Sequence, residues 1–228
     1  MTFGNTKKIY ISCCSNRDPK WGMVLVTEDA MRHAAKHGLS SVLRPRLGES
    51  LICRARQNDL VEFMRTNSDL LFSIDDDVVP PVDVLVKLAE ADKDIVAGIY
   101  RLKLDTPISA VRLPFGGHSW EEVLQGLLAP AVYVSTGCMM IKRRVIEGMI
   151  AKYPELGYAR NVTGDRGWAL YMPFIHDEEY LSEDWAFCQR AIDAGFEVWV
   201  HGGVKCGTGA KNYFFSGTRT AKRIEHSA

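Results

Sequence analysis

Two acidic groups are the residues best able to do chemistry in this chain. Asp75-Asp76-Asp77 follows directly on the apolar run Leu70-Leu71-Phe72-Ser73-Ile74. Consecutive carboxylates at the end of a buried strand cannot all stay ionised unless cations or hydrogen-bond donors neutralise them. A divalent metal meets that need, because carboxylate oxygens suit Mg2+ or Mn2+, and Mg2+ often takes only one or two protein carboxylates beside water and phosphate oxygens. The plainer alternative is a solvated acidic turn at the start of the next helix. The second group is Glu183-Asp184, behind Ser182 as a candidate N-cap. A carboxylate there either takes a proton from an acceptor hydroxyl or only complements the helix dipole, worth about 0.3–1 kcal/mol.

The elements that must position these groups follow from the hydrophobic pattern. Residues 9–12 predict a strand, 23–37 a helix stopped by Gly38, 41–43 a strand, 49–65 a helix and 70–74 a strand. A short helix carrying Val84, Leu85 and Leu88 follows Pro80-Pro81, and residues 94–100 predict a strand. This β/α alternation is the signature of a mostly parallel sheet covered by helices, whose ligands gather at the carboxyl ends of the strands. The second half is less regular. Residues 108–112, 131–135 and 197–200 read as strands, 143–152 and 182–194 as helices, and the segments around Gly116-Gly117 and 160–167 as loops. No repeat or linker divides the 228 residues, so one α/β domain is expected, with a regular first half (1–105), a less regular second half (106–209) and a basic-aromatic tail (210–228).

Composition narrows the function classes. Lys plus Arg and Asp plus Glu number 28 each, which argues against a uniformly basic nucleic-acid coat. Hydrophobic content of 46% and aromatic content of 10% exclude a disordered chain. No apolar stretch approaches the roughly 20 residues of a membrane span, and the first eight residues are polar rather than a signal peptide, so no membrane insertion and a cytoplasmic location are expected. The six cysteines form no CxxC pair and are expected to be reduced, which also makes the Asn161-Val162-Thr163 sequon coincidental.

Five blocks carry a resemblance: GESLICRARQNDLVEF (48–63), LLFSIDDDVVPP (70–81), DKDIVAGIYRLK (92–103), YVSTGCMMIKR (133–143) and YLSEDWAFCQRAIDAGFEVWV (180–200). In this order the chain resembles a glycosyltransferase of the GT-A (Rossmann-like) fold, and especially the short nucleotide-sugar-dependent transferases of bacteriophage and bacterial genomes. A phage origin would make the location the host cytoplasm. The resemblance implies a sugar moved from a nucleoside-diphosphate sugar to a hydroxyl acceptor, with Mn2+ or Mg2+ neutralising the leaving diphosphate at a DxD-type motif. Asp77 would be the direct metal ligand and Asp75 a contact to ribose or metal-bound water, with Asp76 able to replace either. Asp184 is the first candidate for general base and Glu183 the second, whereas a transfer that retains configuration needs no such base. Arg54, Arg56 and Asn58 fall on the nucleotide side by this resemblance, since guanidinium groups bind phosphate bidentately. Ser12 and Cys13 fall beside the nucleobase, and Thr136 and Gly137 beside the donor sugar, where glycine permits close approach.

One departure is visible. Where many such enzymes supply a late histidine as a metal ligand, this chain has Cys206-Gly207-Thr208-Gly209, which leaves His201 as a substitute. Two rival functions fit less well: a nucleotidyltransferase, for which no glycine-rich phosphate loop is present, and a noncatalytic sugar-nucleotide-binding module, which is expected to lose one of the two acidic groups. The acceptor stays open among a hydroxylated base in DNA, a glycan and a protein. The tail, with Lys211, Tyr213, Phe214, Phe215, Arg219, Lys222 and Arg223, is a candidate contributor to its site.

Overall fold

A computed structural model describes residues 6–16, 20–100, 110–159 and 164–208. The first half alternates as expected: β1 (Lys8–Ser15), α1 (Trp21–Lys36), β2 (Ser40–Leu47), α2 (Ile52–Met64), β3 (Leu70–Asp75), the two-residue β4 (Val78–Val79), α3 (Val84–Ala91) and β5 (Ile95–Ile99). The second half adds α4 (Trp120–Leu124), β6 (Leu128–Pro130), β7 (Cys138–Lys142), α5 (Arg143–Lys152), β8 (Gly157–Ala159), β9 (Arg166–Trp168), β10 (Phe174–His176), β11 (Glu179–Leu181), α6 (Glu183–Asp193), β12 (Val198–Lys205) and β13 (Gly207–Thr208).

Seven strands form one sheet in the order β2-β1-β3-β7-β5-β12-β6. The strands β2, β1, β3, β5 and β12 run one way, and β7 and β6 run against them. Alternation along the strands sorts side chains onto two cores. Ile9, Ile11 and Cys13 of β1 and Leu70, Phe72 and Ile74 of β3 pack with α1 and α3, while Tyr10 and Leu71 face the other side with α2, α5 and α6. The result is a mixed α/β unit, a mostly parallel central sheet with helices on both faces.

Two expectations are corrected and one strand is added. Residues 131–135 are not a strand; Tyr133 makes only an isolated bridge to Arg112, and the strands lie on either side as β6 and β7. β7, unassigned in the sequence reading, enters antiparallel between β3 and β5 and is buried on both faces, so it lacks the alternation that reveals half-exposed strands. Arg166–Trp168, read as loop, pairs with β8 as a hairpin against α2. The beginning of the expected strand at 108–112, the sequon and the tail lie outside the described residues. All six cysteines are free thiols.

This topology collects chemistry at one edge. The carboxyl ends of β1, β3 and β5 and the entry to β7 deliver Ser15, Asp75, Tyr100 and Thr136-Gly137 to the same end of the sheet. β13 pairs with β4, setting the backbone of Thr208 opposite Val78, directly after the aspartates.

Candidate active site

Arg56 joins the two acidic groups. It lies on the buried face of α2, with a side chain only 6% exposed. Its Nη2 donates to Asp75 Oδ1 at 3.1 Å and its Nη1 to Glu183 Oε1 at 3.0 Å and to Asp184 Oδ1. Burial would lower the guanidinium pKa, but Asp184 and Asp75 outweigh it and hold Arg56 well above the ordinary arginine value. Three carboxylates against one guanidinium leave a formal charge of −2. Burial, reinforced by Asp184, accordingly raises both Asp75, against the pull of Arg56, and Glu183 above the usual carboxylate range.

Asp184 is held by further donors. Thr136 Oγ1 donates to its Oδ1 at 2.5 Å and Ser135 Oγ to its Oδ2 at 2.8 Å. A serine hydroxyl has one proton, so Tyr100, which is bonded to Ser135, is the donor in that pair. Burial, with Asp75 and Asp184 adding to it, keeps the Tyr100 hydroxyl protonated far above the usual phenol range. Gly137 closes the constellation: its carbonyl accepts from the Asp75 N–H at 3.2 Å, and a Cβ there would stand 2.7 Å from Asp75 Oδ2 and 2.8 Å from Tyr100 Cζ. The glycine read from sequence is thus one that close packing demands.

The other aspartates divide their tasks. Asp76 is committed to β1, accepting from Ser15 Oγ at 2.6 Å and from Lys20 Nζ at 3.2 Å. Asp77 is partly exposed at the end of the triplet and contributes to the raised pKa of Asp75. No three or more His, Cys, Asp or Glu side chains converge as a metal shell among the described residues. The donor set still fits a hard divalent cation: two neighbouring carboxylates with excess negative charge suit a coordination completed by water and diphosphate oxygens. His201 does not join Asp75 and Asp77 in such a group; its Nδ1 accepts from the Gly203 N–H at 3.1 Å, and burial together with Lys87 lowers its pKa.

Residues assigned to the nucleotide side separate for a geometric reason. Positions i, i+2 and i+4 share a face in a strand, not in a helix, where 100° per residue sends Arg56 away from Arg54 and Asn58. Arg54 is exposed and paired with Glu49 at 2.6 and 2.7 Å, while Asn58 is half-buried and its side chain makes no hydrogen bond among the described residues. On β1, Ser12 points toward α2 and Cys13 to the opposite face, where it contacts Met23 Sδ at 3.8 Å and burial pushes its thiol up to about 12.

Residues that the sequence reading passed over complete the picture. Asp59, one helical turn after Arg56, is buried and accepts from Ser12 Oγ, from Cys14 Sγ at 3.2 Å and from Arg46 Nε at 2.5 Å. The i, i+3 spacing of Arg56 and Asp59 was the signal for it. Tyr171 is fully buried, stacks on Phe187 with centroids 4.4 Å apart, and places its ring 5.9 Å from the Arg56 guanidinium. Its hydroxyl has no hydrogen-bond partner among the described residues. Arg190 on α6 fixes that segment by donating to the carbonyls of Leu170 at 2.9 Å and Met172 at 2.7 Å. No local pattern announces Tyr171, because its place depends on that clamp.

No protein-family model matches the sequence, and no curated protein does. Solved structures are similar in fold. A197 from STIV aligns with a TM-score of 0.56 at 16% identity over 98% of this chain and 100% of that one. Looser likenesses are to GalNAc-T7, solved with UDP, GalNAc and Mn2+ (TM-score 0.48, 8% identity, 90% of this chain and 44% of that one), and to the T. maritima inositol-1-phosphate CTP transferase (0.41, 14%, 87% and 86%). The first likeness supports the fold alone.

Proposed function

We propose that this protein is a glycosyltransferase that moves a sugar from a nucleoside-diphosphate sugar to a hydroxyl acceptor, with a divalent cation at Asp75 and Asp77. One observation carries the reading: Arg56 ties the acid at the end of β3 to the acid pair opening α6, at the carboxyl edge of the parallel strands where α/β sheets bind ligands. Transfer between two substrates needs one group at the leaving diphosphate and another at the acceptor hydroxyl, and the two acidic groups supply one each.

Asp77 and the Asp75 oxygen turned toward Gly137 would hold Mn2+ or Mg2+. The ion would supply charge neutralisation at the departing diphosphate. Arg56, Thr136 and Ser135 hold the Asp184 carboxylate in place, and its Oδ2, with one donor among the described residues, retains a lone pair for an acceptor proton. Glu183 is the second candidate for that proton. Gly137 and Thr136 border the place where the donor sugar would lie, and Asp59, with Ser12 and Arg46, borders the nucleoside side.

The test is to incubate the protein with a panel of radiolabelled nucleotide sugars and measure released nucleoside diphosphate, with Mn2+ and with EDTA. Release that chelation abolishes is expected. Full release in EDTA sinks the metal assignment, and no release from any donor sinks the transferase reading in favour of a binding module.

A further inference from the structure

An exposed hairpin precedes the helix that carries the acid pair. β10 and β11 form a hairpin directly before α6, joined by Asp177 and Glu178, both with left-handed backbone at φ 47° and 65°. Such a two-residue turn matches strand twist but normally uses Asn or Gly. Inside the hairpin, Leu181 is buried; outside, the cross-strand neighbours Ile175 and Tyr180 are 63% and 65% exposed, with Met172 at 44% nearby in sequence. The Cα of Tyr180 lies three residues from that of Glu183, so the two are separated by no more than about 11 Å.

The hairpin is fixed to α6. Arg112 donates to both Glu179 oxygens, at 2.6 Å from Nη1 to Oε2, and its guanidinium lies 4.3 Å from the Trp185 ring centroid. Trp185 in turn stacks on Tyr133 at 5.0 Å. The hairpin that carries this aromatic and aliphatic pair is therefore tied to α6, and Tyr180 lies three residues before Glu183. The charge around it is unsuited to a polyanion: Arg112 is neutralised by Glu179, and the tip carries exposed Asp177 and Glu178. A nucleic acid would bring one phosphate per nucleotide to an acidic tip.

We propose that the outward face of this hairpin is an acceptor-binding platform, and that its occupant is an uncharged glycan whose sugar ring stacks on Tyr180 beside Ile175. A sugar ring pairs an apolar C–H face with a hydroxyl rim, matching a tyrosine with an apolar ring and polar tip. This inference rests on the transferase reading for the acceptor's chemistry, but its test does not need a donor. Saturation-transfer NMR and titration with neutral oligosaccharides, on the full chain without donor or metal, measure the platform alone. Binding is expected to change little between about 50 and 200 mM salt, where binding through phosphates would weaken steeply. It should weaken at least tenfold in Tyr180→Ala, survive in Tyr180→Phe, and stay unchanged in Leu25→Ala, an equally exposed side chain on α1. Binding of duplex DNA carrying hydroxymethylated bases that Tyr180→Ala weakens overturns the proposal in favour of a nucleic-acid acceptor. Donor hydrolysis by a protein that binds no oligosaccharide also overturns it while leaving the transferase intact. Tyr180-dependent oligosaccharide binding without hydrolysis of any donor supports the platform and refutes the transferase.

Discussion

Replacing Arg56 with Met removes the one cation that serves three carboxylates while keeping most of the side-chain volume. Breaking a buried ion pair by deleting one partner costs about 3–5 kcal/mol. The low end applies here, because the side chains of Asp75 and Glu183 are 31% and 24% exposed and Asp184 keeps Ser135 and Thr136. At about 2–4 °C per kcal/mol for a chain of this size, 3 kcal/mol lowers the melting temperature by about 6–12 °C. The pH dependence has a defined sign. Carboxylates deprived of their cation have folded pKa values raised further above the unfolded ones, so their stabilising effect is complete below the ordinary carboxylate range and is lost as pH rises through the raised values. Calorimetry should therefore show a deficit for Arg56→Met that is large at pH 8 and shrinks toward pH 5, with Arg56→Lys intermediate. A variant within 2 °C of the wild type at pH 8, or a deficit that grows toward pH 5, would refute the bridge between the acidic groups.

Other perturbations follow from the same geometry. Gly137→Ala drives a Cβ against Asp75 and Tyr100 and should cost about 1–3 kcal/mol in chemical denaturation, along with donor turnover; an unaltered denaturation midpoint would contradict the close packing. Tyr171→Phe deletes a buried hydroxyl that has no partner among the described residues and should leave stability equal or raised by about 1 kcal/mol, whereas a loss above about 1 kcal/mol would mean the hydroxyl is paired in solution. Because Asp75 and Glu183 are raised by burial, the metal-free protein should lose stability as pH climbs above the ordinary carboxylate range, and Mn2+ should stabilise it more at pH 8 than at pH 5. A Mn2+ effect that is flat with pH in thermal melts would contradict that assignment.

Much of this was legible in the sequence. The alternation of β1, α1, β2, α2, β3, α3 and β5 follows from local periodicity, and Asp75 and Gly137 meet because the end of β3 and the entry to β7 share an edge, while Asp184 reaches them from the first turn of α6. What stayed hidden depends on tertiary contacts. β7 is buried on both faces and joins strands distant in sequence, so no alternation marks it. Arg54 and Asn58 looked equivalent to Arg56 until the helical turn separated them, and Cys13 faces away from Ser12 because successive strand residues alternate. His201 looked like a spare ligand, yet its ring is turned back onto Gly203. The hairpin of β10 and β11 escaped notice because its turn uses Asp177-Glu178 in place of Asn-Gly.

The most direct test is a crystal soaked with uridine or guanosine diphosphate and Mn2+, read by anomalous scattering. A manganese peak is expected between Asp75 or Asp77 and the diphosphate oxygens, at the carboxyl edge of β3, with the acid pair of α6 joined to Asp75 through Arg56. Diphosphate bound elsewhere, or held at that edge with manganese absent from both aspartates, would contradict it.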